Sequence, residues 1–378
     1  MKKWLQRFLT LIAVEILLTG CQNSAVVNTE NTTADSFQMD SVEDEPDLHP
    51  YDFIIDMTGD INLADNWNSM EYYAQQEDGI YDCIDPELIQ KMQQADLTWA
   101  NVEFSISDRG EPMAGKYYTF RADPSHVSIL KELGIDLANL ANNHVYDYGK
   151  DAFEDTLSNL SENGIPYVGA GRNAQEAQQP FYMQINGKTI ACVSATRAEK
   201  NILTPEAGAD TPGVFRCYDM EKLLETVQEA KTQADFVIAY IHWGTEYSET
   251  LEHAQTEGAH QLVEAGADVV VGAHPHCLQG VEYYEGVPIL YSLGNYWFNE
   301  KALDTTLLQL HFSGDDEESH LEVQMIPARQ ENHYTRILTD ESEIREWIEH
   351  MKSISLSKIE IKMDGTLQEV TAESEVSN

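Results

Sequence analysis

The chain has 378 residues, enough for one large or two ordinary domains. Its 42% hydrophobic and 23% charged residues are ordinary for a globular protein with a core. The formal net charge of -42 is not ordinary; it excludes nucleic acid and bare anionic lipid surfaces as partners, because like charge repels phosphate.

The first residues read as a targeting signal. Lys2, Lys3 and Arg7 form a basic start, and residues 8–18 are mostly apolar, interrupted by Thr10 and Glu15. That stretch is shorter than the roughly 20 apolar residues of a spanning helix. It runs into Leu18-Thr19-Gly20-Cys21, which resembles the bacterial lipobox, with cleavage before Cys21 and lipid on its sulfur. Residues 1–20 are thus expected to be a lipoprotein signal peptide. Without them the chain carries about -44. Residues 21–50 contain seven acidic side chains and no Lys or Arg, so they cannot bury enough apolar surface to fold. They are expected to tether the domain to lipid on the extracytoplasmic face of the membrane. Cys83, Cys192, Cys217 and Cys277 form no CxxC pair and read as buried thiols, with one disulfide open in an oxidising compartment.

A domain is expected over residues 51–330. Residues 53–57 read as a buried strand ending at Gly59-Asp60. Asp85-Pro86 and Asp123-Pro124 each place an N-cap before a helix-starting Pro. Residues 96–102 and 135–140 are the next strands, residues 150–162 an amphipathic helix, and 167–169 a short strand. Asn186-Gly187 signals a type I′ hairpin. Helices follow over 220–230 and 251–265, and strands over 236–241, 269–271 and 289–293. Residues 307–326 read as a hairpin around Gly314-Asp315-Asp316. Short apolar strands alternating with amphipathic helices predict an α/β fold. Residues 331–378 are expected to add one helix over 341–351 and a polar tail.

The polar residues fall at strand ends. Asp60 follows the first strand, Asn101 and Glu103 end the second, and Asn142, Asn143 and His144 follow the third. His242 ends a later strand, His274 and His276 follow the next, and Asn295 follows the last of these. The carboxyl ends of strands form the ligand crevice of an open α/β sheet, so these groups are expected to converge. Imidazole, carboxylate and amide oxygen together suit Zn, Mn or Fe. Taken singly, Gly59-Asp60 is an ordinary turn and His242 a core histidine. Gly272-Ala273-His274-Pro275-His276 is the strongest local signal, since Pro275 stiffens a turn on which both imidazoles can face one ion. The other histidines (His49, His126, His253, His260, His311, His320, His333 and His350) read as structural or solvated. Lys116, Arg121 and Arg197 are placed to line the crevice. No Gly-x-Ser-x-Gly elbow or glycine-rich phosphate loop is present.

Gly59-Asp60, Asn101-Val102-Glu103, Ala141-Asn142-Asn143-His144, His242-Trp243-Gly244, Gly272-Ala273-His274-Pro275-His276 and Ser292-Leu293-Gly294-Asn295 occur in that order. The set resembles the CapA/PgsA family of poly-γ-glutamate capsule-synthesis proteins over residues 51–328. That resemblance implies a fold similar to calcineurin-like metallophosphoesterases, a sandwich of mixed β-sheets flanked by helices. It also implies that Asn143-His144 matches a Gly-Asn-His motif, and His274 and His276 a Gly-His-x-His motif. Two departures stand out: Asn62 replaces the His of an Asp-x-His start, and the Gly-Asp-x-x-Asp motif is absent. A single ion, or a pair with different ligands, fits this set.

The metal ligands expected are Asp60, Glu103, Asn143, His242, His274 and His276, with His144 and Asn143 at the reacting centre and His144 as general acid. Three functions follow. The protein is a metal-dependent hydrolase or transferase on poly-γ-glutamate or another anionic envelope polymer, a non-catalytic accessory of a capsule polymerase or exporter, or a phosphoesterase on a small phosphorylated substrate.

Overall fold

A computed structural model describes residues 49–370. The expected signal peptide, Cys21, nearly all of the tether and the end of the tail (371–378) lie outside the described residues. The principal strands are β1 (Tyr51–Ile61), β2 (Leu97–Val102), β3 (Leu137–Asn139), β4 (Tyr167–Val168), β5 (Phe181–Ile185), β6 (Lys188–Thr196) and β7 (Phe236–His242). They continue with β8 (Val269–Ala273), β9 (Val281–Tyr284), β10 (Val287–Leu290), β11 (Asn295–Trp297), β12 (Leu303–Gly314), β13 (Ser319–Glu331) and β14 (Tyr334–Ile337).

Two sheets form. The first has the order β14-β13-β12-β1-β2-β3-β4, with β11 also beside β1; the second has the order β9-β10-β8-β7-β6-β5. β1 to β4 run parallel, as do β6, β7, β8 and β10, while β12 to β14 and the edges β5 and β9 are antiparallel. The chain is therefore the expected sandwich of mixed sheets, with helices on the outer faces.

Side-chain alternation builds the layers. In β7, Ile238 and Tyr240 face the other sheet, while Val237, Ala239 and Ile241 face the helices Glu221–Lys231 and His253–Glu264. In β1, Phe53, Ile55 and Met57 join Trp99 of β2 in the same inter-sheet core. Period-2 alternation is what a strand covered on both sides requires. Trp99 meets Tyr240 edge to face at 5.3 Å, and the Tyr240 hydroxyl donates to the Thr58 carbonyl at 2.6 Å, tying the sheets together. Such an aromatic pair contributes about 0.5–1.5 kcal/mol beyond its buried area.

Local signals set the connections. Asp85 caps the helix Pro86–Gln94 by accepting from the Glu87 amide, and Asp123 accepts from the Ser125 amide before the helix Val127–Glu132. Asn186 and Gly187 take φ of 48° and 83° between Ile185 and Lys188, as a type I′ turn requires. The region after Glu331 is integral to the fold. β14 completes the first sheet, and the helix Glu341–Ile354 buries Trp347, whose indole donates to the Thr305 carbonyl at 3.2 Å. Cys83, Cys192, Cys217 and Cys277 are free thiols. Among the described residues no helix is long and apolar enough to cross a membrane.

Candidate metal centre

The parallel strands of both sheets end at one seam. β1, β2 and β3 bring Asp60, Asn101, Glu103, Asn143 and His144 to it from one side; β7 and β8 bring His242, His274 and His276 from the other. Gly59 lets the chain before β11 approach β1. Its Cα lies so close to the Gly294 carbonyl that an added Cβ would sit 1.9 Å from the oxygen. The Asp60 amide donates to that same carbonyl at 2.9 Å. This approach sets Asp60 and Asn295 side by side, and the His276 Nδ1 lies 3.0 Å from Asp60 Oδ2 and 2.9 Å from Asn295 Oδ1.

Asn101 is the hub. Its amide nitrogen donates to Asp60 Oδ1 at 2.7 Å and Glu103 Oε2 at 3.2 Å, while its oxygen accepts from Asn139 and Asn142. His242 Nε2 lies 2.7 Å from Asn143 Oδ1 and 3.1 Å from His274 Nδ1. Glu103 Oε1 is buried and has no hydrogen-bond partner among the described residues. Around it stand Nε2 of His144 and of His242, both at 3.8 Å, and Nε2 of His276 at 4.0 Å.

Two triads have ligand atoms within 4.8 Å of one another: Glu103, His242 and His274, and Asp60, Glu103 and His276. Glu103 belongs to both. His274 and His276 were expected to face one ion, but they join different triads, because Pro275 separates backbones with φ of 99° and 57°. Left-handed conformations at two bulky residues are costly and persist only where the surroundings enforce them.

The electrostatics match the donor set. Burial pushes His242 well below its ordinary value, helped by the neighbouring imidazoles, and brings His274 to about 3 with His276 adding to the effect. Neutral imidazoles keep the lone pairs a metal needs. Burial and the Asp60 carboxylate push Glu103 well above the usual carboxylate range. Burial also pushes Asp60 upward, but His276 and Asn101 together hold it below its ordinary value. The cluster holds more acceptors than donors, and the buried orphan at Glu103 is the acceptor a cation would meet. This donor set fits a divalent ion such as Zn, Mn or Fe, which Asp60, Glu103, His242, His274 and His276 would hold, with the Asn143 oxygen beside His242; a bound ion would supply Lewis-acid polarisation of a carbonyl or phosphoryl oxygen. His144 joins neither triad, although its Nε2 lies 3.8 Å from Glu103 Oε1. Its Nδ1 lies 2.6 Å from Asp147 Oδ2, which orients the ring so that Nε2 can hold or deliver a proton.

Asp147 and the aromatic residues at the mouth escape the strand-end argument, while Asn139 ends β3 and was passed over because the sequence runs that strand to residue 140. Asp147 was visible only as the residue three after His144. It also accepts from the Phe120 amide at 2.7 Å and pairs with buried Lys116 at 2.6 Å, whose ammonium reaches the Asn143 carbonyl as well. Of the three cations expected at the crevice, Lys116 alone is there. Arg121 turns to the Arg109 and Gly110 carbonyls over Tyr148, and Arg197 stacks on Tyr218. Asn142 is structural, its oxygen accepting from the His144 and Val145 amides. Asn62 is likewise engaged, its oxygen accepting from the Ala64 amide at 2.8 Å. The remaining histidines pair with carboxylates, as His253 does with Glu257, or stack, as His333 does on Tyr72.

Residues 54–300 match the family of bacterial capsule synthesis proteins designated PGA_cap. The chain is 33% identical over 239 residues to the PGA biosynthesis protein CapA of Bacillus subtilis, covering 62% of this chain and 61% of that one. It is 35% identical over 205 residues to the capsule biosynthesis protein CapA of Bacillus anthracis, covering 52% and 49%. The match thus spans about half to three fifths of these relatives. Among solved structures, it is similar to a candidate 5′-nucleotidase of Staphylococcus aureus at 16% identity and a TM-score of 0.46, over 80% of this chain and 57% of that one. A likeness this remote bears on neither substrate nor reaction.

Proposed function

The chain belongs to the bacterial capsule synthesis protein family PGA_cap, and from that premise we propose that it serves poly-γ-glutamate capsule synthesis through a divalent-metal site acting on the anionic polymer. The buried, unpartnered Glu103 oxygen at the centre of a His, Asp and Asn donor set carries this reading. An ion at this seam would also dominate the local field and draw a polymer carboxylate toward an otherwise acidic protein. In this reading His144, held at Nδ1 by Asp147, takes a proton at Nε2 from the attacking water and passes it to the leaving amine. Lipid on Cys21 holds the domain at the outer face of the membrane, near a capsule polymerase or exporter.

The test is a purified protein stripped with chelator, reloaded separately with Mn²⁺, Zn²⁺ or Fe²⁺, and offered γ-glutamyl oligomers beside phosphodiester and phosphomonoester substrates. Metal-dependent release of amine from the oligomers is expected. His274→Ala with His276→Ala should lose both metal and turnover, His144→Ala should keep metal and lose turnover, and His253→Ala should change neither. Release of phosphate alone would overturn the polymer reading. A second reading, a non-catalytic accessory that holds polymer, is favoured by Asn62, whose side-chain oxygen is committed to the Ala64 amide rather than offered to an ion. Under it, capsule forms normally with His144→Ala and fails when His274 and His276 are both replaced.

A further inference from the structure

A cavity of about 190 Å³ opens directly beside the metal centre, with His144 and His276 in its lining. Its walls are aromatic: Trp67, Phe120, Phe298 and Tyr247. Phe298 packs on the His276 ring at 4.6 Å, and Phe120 on the His144 ring at 4.3 Å, so the collar is continuous with the centre. The volume falls below the roughly 300–1,000 Å³ of pockets that enclose a drug-sized ligand. It suits one residue of a polymer rather than a run of them.

The charges around the cavity are of both signs. Glu246 and Glu300 line it, and so does Lys301. Lys301 makes no salt bridge among the described residues; its ammonium rests over the Tyr247 ring, 3.6 Å from the centroid. Stacking places the cation without neutralising it. Asn68 holds one of these carboxylates in place, its amide nitrogen donating to Glu300. The cavity therefore offers one cation for a carboxylate, and two carboxylates for an N–H donor.

We propose that this cavity binds the amino-terminal residue of a γ-linked glutamyl chain, a head group carrying an ammonium and a carboxylate on the same carbon. This inference rests on the polymer reading above. Every internal γ-linked residue bears a bare carboxylate and an amide, and two carboxylates at the mouth repel it. Only the amino-terminal residue brings an ammonium to Glu246 and Glu300 together with a carboxylate to Lys301. The same logic explains how so acidic a protein meets a polyanion: it engages the end where the polymer's charge is locally balanced.

The probe is γ-glutamyl-glutamate, titrated calorimetrically into metal-loaded protein, with the fluorescence of Trp67 as a second readout. Acetylating its amino group, or amidating the carboxylate beside that group, should each weaken binding by about 10–100-fold, the scale of a lost charge-assisted hydrogen bond. Lys301→Met should erase the difference between free and amidated peptide while metal content stays unchanged. Equal binding of free and acetylated dipeptide, or a Lys301→Met protein that still discriminates the amide, overturns the proposal. Metal-dependent cleavage of oligomers indifferent to capping would leave the polymer function standing and remove this inference. Discrimination of the zwitterion without γ-glutamyl cleavage would do the reverse.

Discussion

Replacing Glu103 by Gln should make the metal-free protein more stable and nearly blind to metal. In the folded chain Glu103 is fully buried, its Oε1 has no partner, and burial with the nearby Asp60 pushes its carboxyl well above the usual range. Ionising a carboxyl in such a place costs at least the about 1–3 kcal/mol of an unsatisfied buried group, and Gln keeps the shape while removing the ionisable proton. In chelator the variant should therefore gain about 1–3 kcal/mol, or about 1–4 °C in Tm for a chain of this size. Metal reverses the order of benefit. At a free ion concentration of about 100 times Kd, the wild type gains about 2.7 kcal/mol. Glu103 belongs to both triads, and a 100-fold loss of affinity, the upper end for a disturbed site, leaves the variant a gain of only about 0.4 kcal/mol. Urea unfolding of both proteins, with chelator and with Mn²⁺ or Zn²⁺, measures all four stabilities. A variant that keeps the full metal-induced gain, or that loses stability in chelator, would refute the reasoning.

Three further outcomes are expected. Asp56, buried and held only by Gln309 at 2.9 Å, is raised from 3.8 to about 6 by burial, against the lowering effect of Gln309. Its folded form thus binds a proton more tightly than the unfolded chain, so its stabilisation is full below about pH 3.8 and lost as pH rises through about 6. Asp56→Asn should gain about 3 kcal/mol relative to wild type between pH 4 and pH 8 by urea unfolding, and a pH-independent difference would count against it. Asp147→Ala strips the partner from Lys116, whose side chain is 4% exposed, and should cost about 3–5 kcal/mol; a loss below about 1 kcal/mol would deny the pair its structural role. Cys21→Ala should leave the precursor unprocessed and without lipid label in cells, and unchanged labelling would remove the anchor from the proposal.

How much of this was legible varies with the range of the cause. Asp85-Pro86 and Asn186-Gly187 act within four residues, and the chain folds there as the dipeptides indicate. The strand-end placement of Asp60, Glu103, Asn143, His242, His274 and His276 was legible because parallel strands deliver their carboxyl ends to one edge. What periodicity could not supply was the allocation of strands to sheets. β12 pairs with β1 antiparallel from some 250 positions away, with Asp56 opposite Gln309. The centre therefore lies in a seam between two sheets instead of the crevice of one. Asn101 looked like one strand-end polar residue among several, and only the pairing of β1, β2 and β3 makes it the hub. The collar of Trp67, Phe120, Tyr247 and Phe298 is scattered over four connections and has no period to reveal it.

The seam has a consequence for timing. Asp60 and His276 meet across 216 positions of chain, and Glu103 serves triads drawn from both sheets. Contacts of such separation form late, after the loops between them have closed. Half a chain, or either sheet by itself, offers an ion no more than fragments of a ligand set. Metal loading at this seam would therefore be an end-of-assembly event, and because binding energy at such a site is also folding energy, an ion bound there would lock two finished layers into register. A protein with such a site would carry, in its occupancy, a record of whether it had folded correctly.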